Sequence, residues 1–145
     1  NKRLLSLYQG NHPLMAAYDV KGIRFLAIDN STYQISKEQL NFFKEHVASN
    51  VPLILLVHIP MYAPGKSIGF GCGNPDWGAS SDRNFELEGR LRWPNLMGIF
   101  SGHIHRFSLE SLKGKPQIVS DDNASGGYLD VNFMPLEPKD RSLIF

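Results

Sequence analysis

Three of the five histidines in this 145-residue chain follow apolar stretches of strand length. His58 closes the run at 51–58, and His103 and His105 come directly after the run at 96–101. In α/β sheets, ligands collect beyond the carboxyl ends of the strands, where loops converge. Imidazole is the commonest side-chain ligand for transition metals such as zinc, manganese, iron and nickel. The pattern therefore predicts a metal site formed by these three histidines.

The second and third of these histidines belong to the tetrapeptide Gly-His-Ile-His at 102–105. In an extended segment, side chains at i and i+2 point to the same side, so both imidazoles are expected to reach one site. Gly102 would let the backbone approach an ion or a phosphate closely. A single histidine at a strand end is more often an ordinary hydrogen-bonded residue, but the pair together with His58 favours a metal.

The elements that must position these residues are those of an α/β domain. Residues 17–20 and 23–29 bracket Lys21-Gly22 and are predicted as two strands around a turn. Residues 51–58 read VPLILLVH, which is typical of a strand buried on both faces. Further strands are predicted at 96–101, 108–112, 116–119 and 128–133, and a short polar helix at 82–93. A strand, a helix and another strand in that order predict an α/β fold.

One helix is marked at its start by local chemistry. Ser36 is a favourable N-cap, and Gln39 three residues later completes a capping box with it. The apolar residues that repeat on one helical face are Leu40, Phe43 and Val47. The helix is expected to stop near Asn50, and His46 within it is expected to face solvent.

Composition excludes several classes of protein. With 42% apolar and 20% charged residues, the chain is not a collagen, a coiled coil or a disordered tail. The formal net charge of +1, from 15 basic and 14 acidic residues, indicates no nucleic-acid-binding surface. The longest apolar run, at 53–57, is far shorter than the ~20 residues of a membrane span. A single cysteine, Cys72, excludes an intramolecular disulfide framework and a Cys-rich zinc site.

The sequence His58-Ile59-Pro60 after one apolar strand, with Gly-His-Ile-His after another, resembles the calcineurin-like metallophosphoesterases. The resemblance covers most of the chain, including the strand at 22–29, the helix opened by Ser36 and the strands beyond Arg106. It implies an α/β/β/α four-layer sandwich around a two-metal site. By this resemblance His58 and His103 ligate one metal, and His105 ligates the other.

The resemblance implies a metal-dependent phosphoester hydrolase. Its cofactors would be two divalent ions, drawn from Mn, Fe, Zn, Ni or Mg, with a bridging hydroxide that attacks phosphorus. Its substrate would be a phosphorylated small molecule or another phosphoester. Two alternatives stay open: a mononuclear zinc hydrolase that uses the three histidines, and a binding module with the same fold but no catalysis.

The carboxylates that such a centre needs are not evident in this sequence. The family supplies them through DxH and GDxxD motifs in its N-terminal half, and neither is present. Gly10-Asn11-His12 looks like a third family motif, but Pro13 follows it, and a polar turn fits better. Residues 1–145 are therefore expected to be the C-terminal portion of one domain and inactive alone. The direct junction of Trp93 and Pro94, where the family usually has another helix, suggests further missing residues.

Two further residues are candidates for substrate binding. The Pro- and Gly-rich stretch at 60–81 predicts a long loop over the metals, with Trp77 as a wall of the substrate pocket. A packed surface loop is the alternative. Arg106, directly after the Gly-His-Ile-His motif, is a candidate for bidentate phosphate binding, with a salt bridge as the alternative.

Overall fold

The computed structural model describes residues 14–62, 87, 89–120 and 130–132. The α-helix α1 (Lys37–Val47) and a short 3₁₀ helix (Arg90–Arg92), which is preceded by the helical residues Leu87 and Gly89, accompany six strands in this part of the chain. The strands are β1 (Met15–Val20), β2 (Ile23–Ile28), β3 (Leu53–Val57), β4 (Leu96–Ser101), β5 (Ser108–Leu112) and β6 (Lys115–Val119). The predicted α/β character is confirmed.

The six strands form one mixed sheet in the order β1-β2-β3-β4-β6-β5. The four inner strands are parallel, and the two edge strands, β1 and β5, run antiparallel to their neighbours. Ile28 pairs with Val57 in β3, and Leu56 pairs with Phe100 in β4. The carboxyl ends of β2, β3 and β4 therefore lie side by side at the same end of the sheet. The strand-end histidines follow these carboxyl ends.

Two tight turns join the antiparallel pairs. Lys21 and Gly22 have φ values of 50° and 80°, and Lys113 and Gly114 have values of 54° and 79°. Two successive positive φ angles are what a two-residue type I′ hairpin requires, and they match the right-handed twist of the strands. Glycine at the second position removes the Cβ clash that this conformation would otherwise cause.

The capping box that opens α1 is confirmed. The Ser36 hydroxyl accepts a hydrogen bond from the Gln39 backbone N–H at 3.1 Å, and Gln39 Oε1 accepts one from the Ser36 N–H at 2.7 Å. The helix ends at Val47, before the predicted stop at Asn50. Ser49 explains the earlier end, because its hydroxyl donates to the His46 carbonyl at 2.6 Å and satisfies a terminal acceptor.

The core lies between α1 and one face of the sheet. Period-2 alternation sends every second residue of β2 and β3 toward the helix, and the helix presents its apolar face in return. Residues of this core that are fully buried include Leu26, Phe43, Val47, Leu53, Leu55, Leu96 and Ile99. Leu87 and Leu91 join it, so the segment predicted as a polar helix contributes apolar side chains to the core.

Two sequence predictions need correction. Asp130, Val131 and Asn132 belong to no strand, so the strand predicted at 128–133 is wrong over these residues, and its other positions lie outside the described residues. Of the helix predicted at 82–93, Leu87 and Gly89 are helical, and the chain then forms the 3₁₀ helix. Within the described residues there is one sheet with α1 on one face, so the four-layer sandwich stays a prediction. No helix in this described part has the length and apolar character needed to cross a membrane.

Candidate metal site

Two of the predicted metal ligands meet at the edge of the sheet. His58 follows β3, His103 follows β4, and these strands are parallel neighbours. Nδ1 of His103 lies 3.2 Å from Nε2 of His58, although 45 positions separate the two residues in sequence. Their ring centroids are 5.0 Å apart, and the rings are nearly perpendicular at 81°.

The distance between these two nitrogens suits a shared metal ion. Metal–nitrogen bonds of about 2.0–2.1 Å place two adjacent ligands about 2.9 Å apart at a right angle and about 3.4 Å apart at a tetrahedral angle. The observed 3.2 Å lies between these values. Without a metal, the same distance allows one imidazole to donate a hydrogen bond to the other. The 3.2 Å separation is therefore compatible both with a shared metal ion and with a hydrogen bond between the two imidazoles.

The backbone that carries His103 and His105 is bent, not extended as the sequence predicted. His103 has a φ of 71° and His105 has a φ of 52°, both in the left-handed region. The N–H of Ile104 donates to the carbonyl of Gly102 at 2.8 Å, which closes a three-residue turn centred on His103. Left-handed conformations are unfavourable for residues other than glycine, and they cluster at binding sites.

Burial and nearby positive charge act on His103 in the same direction. Burial lowers the pKa of His103, and charge on His58 and His105 lowers it further. An imidazole with a lowered pKa is neutral at neutral pH, which is the form that binds a metal. The ring of Tyr33 meets the His103 ring edge-on at 6.1 Å between centroids.

The remaining predicted site residues have different positions. His105 is exposed and lies close enough to affect His103, and Arg106 beside it is also exposed. Among residues 14–62, 87, 89–120 and 130–132, no group of three or more His, Cys, Asp or Glu side chains is arranged to hold a metal. Trp77 and the Gly10-Asn11-His12 tripeptide lie outside the described residues.

A cavity of about 340 Å³ adjoins His58. Asp29 and His58 contribute its polar lining at the ends of β2 and β3. Most of the lining is apolar and comes from β1, β2 and β3: Leu14, Met15, Ala16, Ala27, Ile28, Leu56 and Val57. The Asp29 carboxylate accepts a hydrogen bond from the Ser31 backbone N–H at 2.8 Å, so it is oriented within its own loop.

The sequence analysis did not predict two buried side-chain amides that bind the segment after β3. Asn30 and Gln117 are 1% and 0% exposed, and each binds both backbone polar groups of one residue in the segment after β3. Asn30 binds Ile59, and Gln117 binds Tyr62. Asn30 follows the end of β2 by two residues, and this position at a strand end is the one signal that could have drawn attention to it.

Comparisons with known proteins found similar folds among solved structures. No family model and no curated protein matches the chain. Among solved structures, a dimetal phosphatase from Danio rerio matches 83% of this chain with a TM-score of 0.58 and 11% identity. The fold is metallophosphoesterase-like. The matched region is 55% of that phosphatase, so this chain spans about half of its length.

A second structural match is weaker. GAP50, the anchor in the inner membrane complex of Plasmodium, matches 72% of this chain with a TM-score of 0.45 and 15% identity. The matched region is 35% of that protein. At these identities the comparisons concern the fold alone.

Proposed function

We propose that this chain is part of a metal-dependent phosphoester hydrolase, in which His58 and His103 bind one divalent ion. The observation that carries the proposal is the 3.2 Å separation of His58 Nε2 and His103 Nδ1. The likeness of the fold to a dimetal phosphatase supports the choice of phosphoester chemistry. Position supports it too, because the pair lies at the carboxyl edge of the parallel strands, where α/β folds bind ligands.

Each residue has a distinct part in this proposal. His58 and His103 supply imidazole nitrogens 3.2 Å apart, and His105, which follows in the same loop, supplies a nitrogen for a second ion. Arg106 would bind a phosphate oxygen pair through its guanidinium. Divalent ions at such a centre supply an activated hydroxide and neutralise charge on the phosphoryl oxygens.

Imidazoles alone do not complete this centre. Neutral ligands leave the charge of two divalent ions unbalanced, so a two-metal site needs carboxylates as well. Because the chain spans about half of the similar phosphatase, we propose that catalysis belongs to a longer protein. The 145-residue chain by itself is expected to bind metal weakly and to show no turnover.

The binding-module alternative has one observation in its favour. In the part of the chain that the structure describes, no carboxylate or third histidine joins the His58–His103 pair in a ligand set. A module of this kind would bind phosphorylated groups or metal without hydrolysis. The mononuclear zinc alternative has less support, because it needs His105 in the same set.

Calorimetric titration with Mn²⁺ and Zn²⁺ tests the metal assignment on the chain itself. His103→Ala should weaken binding at least tenfold, because it removes one of two chelating nitrogens. His46→Ala is the matched control, since it removes a histidine on α1 and should leave the affinity unchanged. Equal affinity in His103→Ala and the original chain would contradict the proposed site.

A second assay separates the enzyme from the binding module. Protein extended to the full domain is supplied with Mn²⁺ and either p-nitrophenyl phosphate or bis-p-nitrophenyl phosphate. Turnover that disappears in His103→Ala is the expected result. Metal binding without turnover of either substrate would favour the binding module.

A further inference from the structure

Two buried side-chain amides hold the segment that leaves β3. Asn30 Nδ2 donates to the Ile59 carbonyl at 2.8 Å, and Asn30 Oδ1 accepts from the Ile59 N–H at 2.9 Å. Gln117 Nε2 donates to the Tyr62 carbonyl at 2.6 Å, and its Oε1 accepts from the Tyr62 N–H at 3.2 Å. Each amide therefore binds one backbone residue in the way that a neighbouring strand would.

Asn30 extends the sheet beyond its last regular pair. The register of β2 and β3 ends at Ile28 and Val57, and Asn30 and Ile59 each lie two residues further on. Ile59 is 1% exposed, so water cannot readily satisfy its backbone groups. Leaving a buried N–H and carbonyl without partners is costly, and the Asn30 amide satisfies both.

The backbone at His58 is consequently fixed from two sides. The Gly102 N–H donates to the His58 carbonyl at 3.0 Å from the β4 side. Asn30 binds the next residue, Ile59, from the β2 side. A rotation of the backbone at His58 would break these hydrogen bonds, so its imidazole is presented to His103 from a rigid support.

We infer that Asn30 is a positioning residue for the His58–His103 pair. It contributes no ligand, and it acts by fixing the backbone from which the His58 imidazole projects. The inference rests on the proposed function in one respect, because the alignment of the pair matters for activity only if the pair binds metal. Outer residues that orient metal-binding histidines commonly change metal affinity by 10–100-fold when they are substituted.

A second asparagine provides a matched control at the opposite end of β3. Asn95 Nδ2 donates to the carbonyls of Ser49 and Val51 at 2.9 Å and 3.1 Å. Asn95→Ala therefore also removes a side-chain amide that binds backbone carbonyls, far from the two histidines. A merely structural role for Asn30 predicts the same effects for Asn30→Ala and Asn95→Ala.

The test uses two readouts on the full chain. The imidazole ¹⁵N resonances of His58 and His103 are recorded by NMR at a fixed neutral pH without metal, and Zn²⁺ affinity is then measured by calorimetry. Asn30→Ala should shift the imidazole resonances of both histidines and weaken Zn²⁺ binding about 10–100-fold. Asn95→Ala should lower thermal stability but leave the resonances and the affinity unchanged.

The outcomes separate this inference from the proposed function. If Asn30→Ala lowers only thermal stability, as Asn95→Ala does, Asn30 is not a positioning residue and the inference is wrong. If the unsubstituted chain binds no Zn²⁺, the metal assignment fails, and the imidazole resonances still decide whether Asn30 orients the pair. If Asn30→Ala does not fold, Asn30→Gln replaces it, because it keeps an uncharged amide that can both donate and accept but moves that amide by one methylene group.

Discussion

Nη1 of Arg24 donates a hydrogen bond to Nδ1 of His46 at 3.0 Å, which joins β2 to α1. Because a guanidinium only donates, Nδ1 must be unprotonated, and the neutral imidazole carries its hydrogen on Nε2. Arg24 also forms a two-pronged ion pair with Asp19, with both N–O distances at 2.7 Å. His46 is half-buried, and its ring packs edge-on against the Phe42 ring with 4.5 Å between the ring centroids. The prediction that His46 faces solvent is wrong for this reason.

This contact predicts a pH dependence of stability. Burial lowers the pKa of His46, the Arg24 charge lowers it further, and Glu45 and Asp19 oppose both effects. A histidine whose pKa is lower in the folded state takes up its proton more readily when unfolded, so stability is lost as pH falls. The free energy of unfolding should therefore decrease as the pH drops below about 6.5, the pKa of a histidine in the unfolded chain.

Denaturant unfolding at a series of pH values measures this dependence. In His46→Gln, the side chain accepts a hydrogen bond from Arg24 through its amide oxygen and does not titrate. The unfolding free energy of the original chain should therefore decrease relative to that of His46→Gln as the pH is lowered from 7.5 to 5.5. A difference that is the same at every pH would contradict the assignment.

The N-cap of α1 has a measurable effect. Ser36→Ala removes the acceptor for the Gln39 N–H and breaks the capping box, so stability should fall by about 1 kcal/mol. Urea unfolding monitored by circular dichroism gives the value. Ser31→Ala, an exposed loop substitution, is the control and should change stability by less than about 0.5 kcal/mol. Equal stability in both variants would show that the hydroxyl does not cap the helix.

Phe43 anchors the helix on the sheet. Its side chain is 0% exposed, so Phe43→Ala removes a buried ring and leaves a cavity that costs about 3–5 kcal/mol. Its sequence neighbour Phe42 is half-buried at the edge of the core, and Phe42→Ala should cost clearly less. The midpoints of thermal unfolding for the two variants compare them directly, and the reverse order would contradict the packing described here.

Metal content distinguishes the two-metal centre from the mononuclear one. In the longer protein that we propose, His105→Ala should lower the metal content from two ions per chain to one, because His58 and His103 would keep theirs. Elemental analysis after gel filtration measures the ratio. If the unsubstituted protein holds one ion and His105→Ala holds none, the mononuclear alternative is favoured. If both proteins hold two ions, His105 is not a metal ligand.

Local sequence chemistry predicted much of the fold. The cap at Ser36, the positive-φ turn at Lys21-Gly22 and the apolar run before His58 depend on residues a few positions apart. Such short-range effects of hydrogen bonding, steric freedom and hydrophobic periodicity can be read without knowing the fold. The strands at both sides of α1 and the helix itself follow from them.

Features that depend on distant partners could not be predicted in this way. The half-burial of His46 depends on Arg24, 22 positions earlier. Asn30 binds Ile59 across 29 positions, and Gln117 binds Tyr62 across 55. In sequence, these residues are ordinary polar residues, because nothing local specifies which backbone group their side chains will reach.

The sequence by itself determined that histidines follow two apolar strands, and hence that a metal site was a reasonable prediction. Only the tertiary structure decided which of them meet. Parallel pairing of β3 with β4 brings the strand ends together and leaves His58 and His103 at 3.2 Å. His103 and His105 have left-handed backbone conformations instead of the extended ones expected from the sequence. The backbone there is bent because Gly102 donates to the His58 carbonyl after β3 and Ile104 donates to the Gly102 carbonyl.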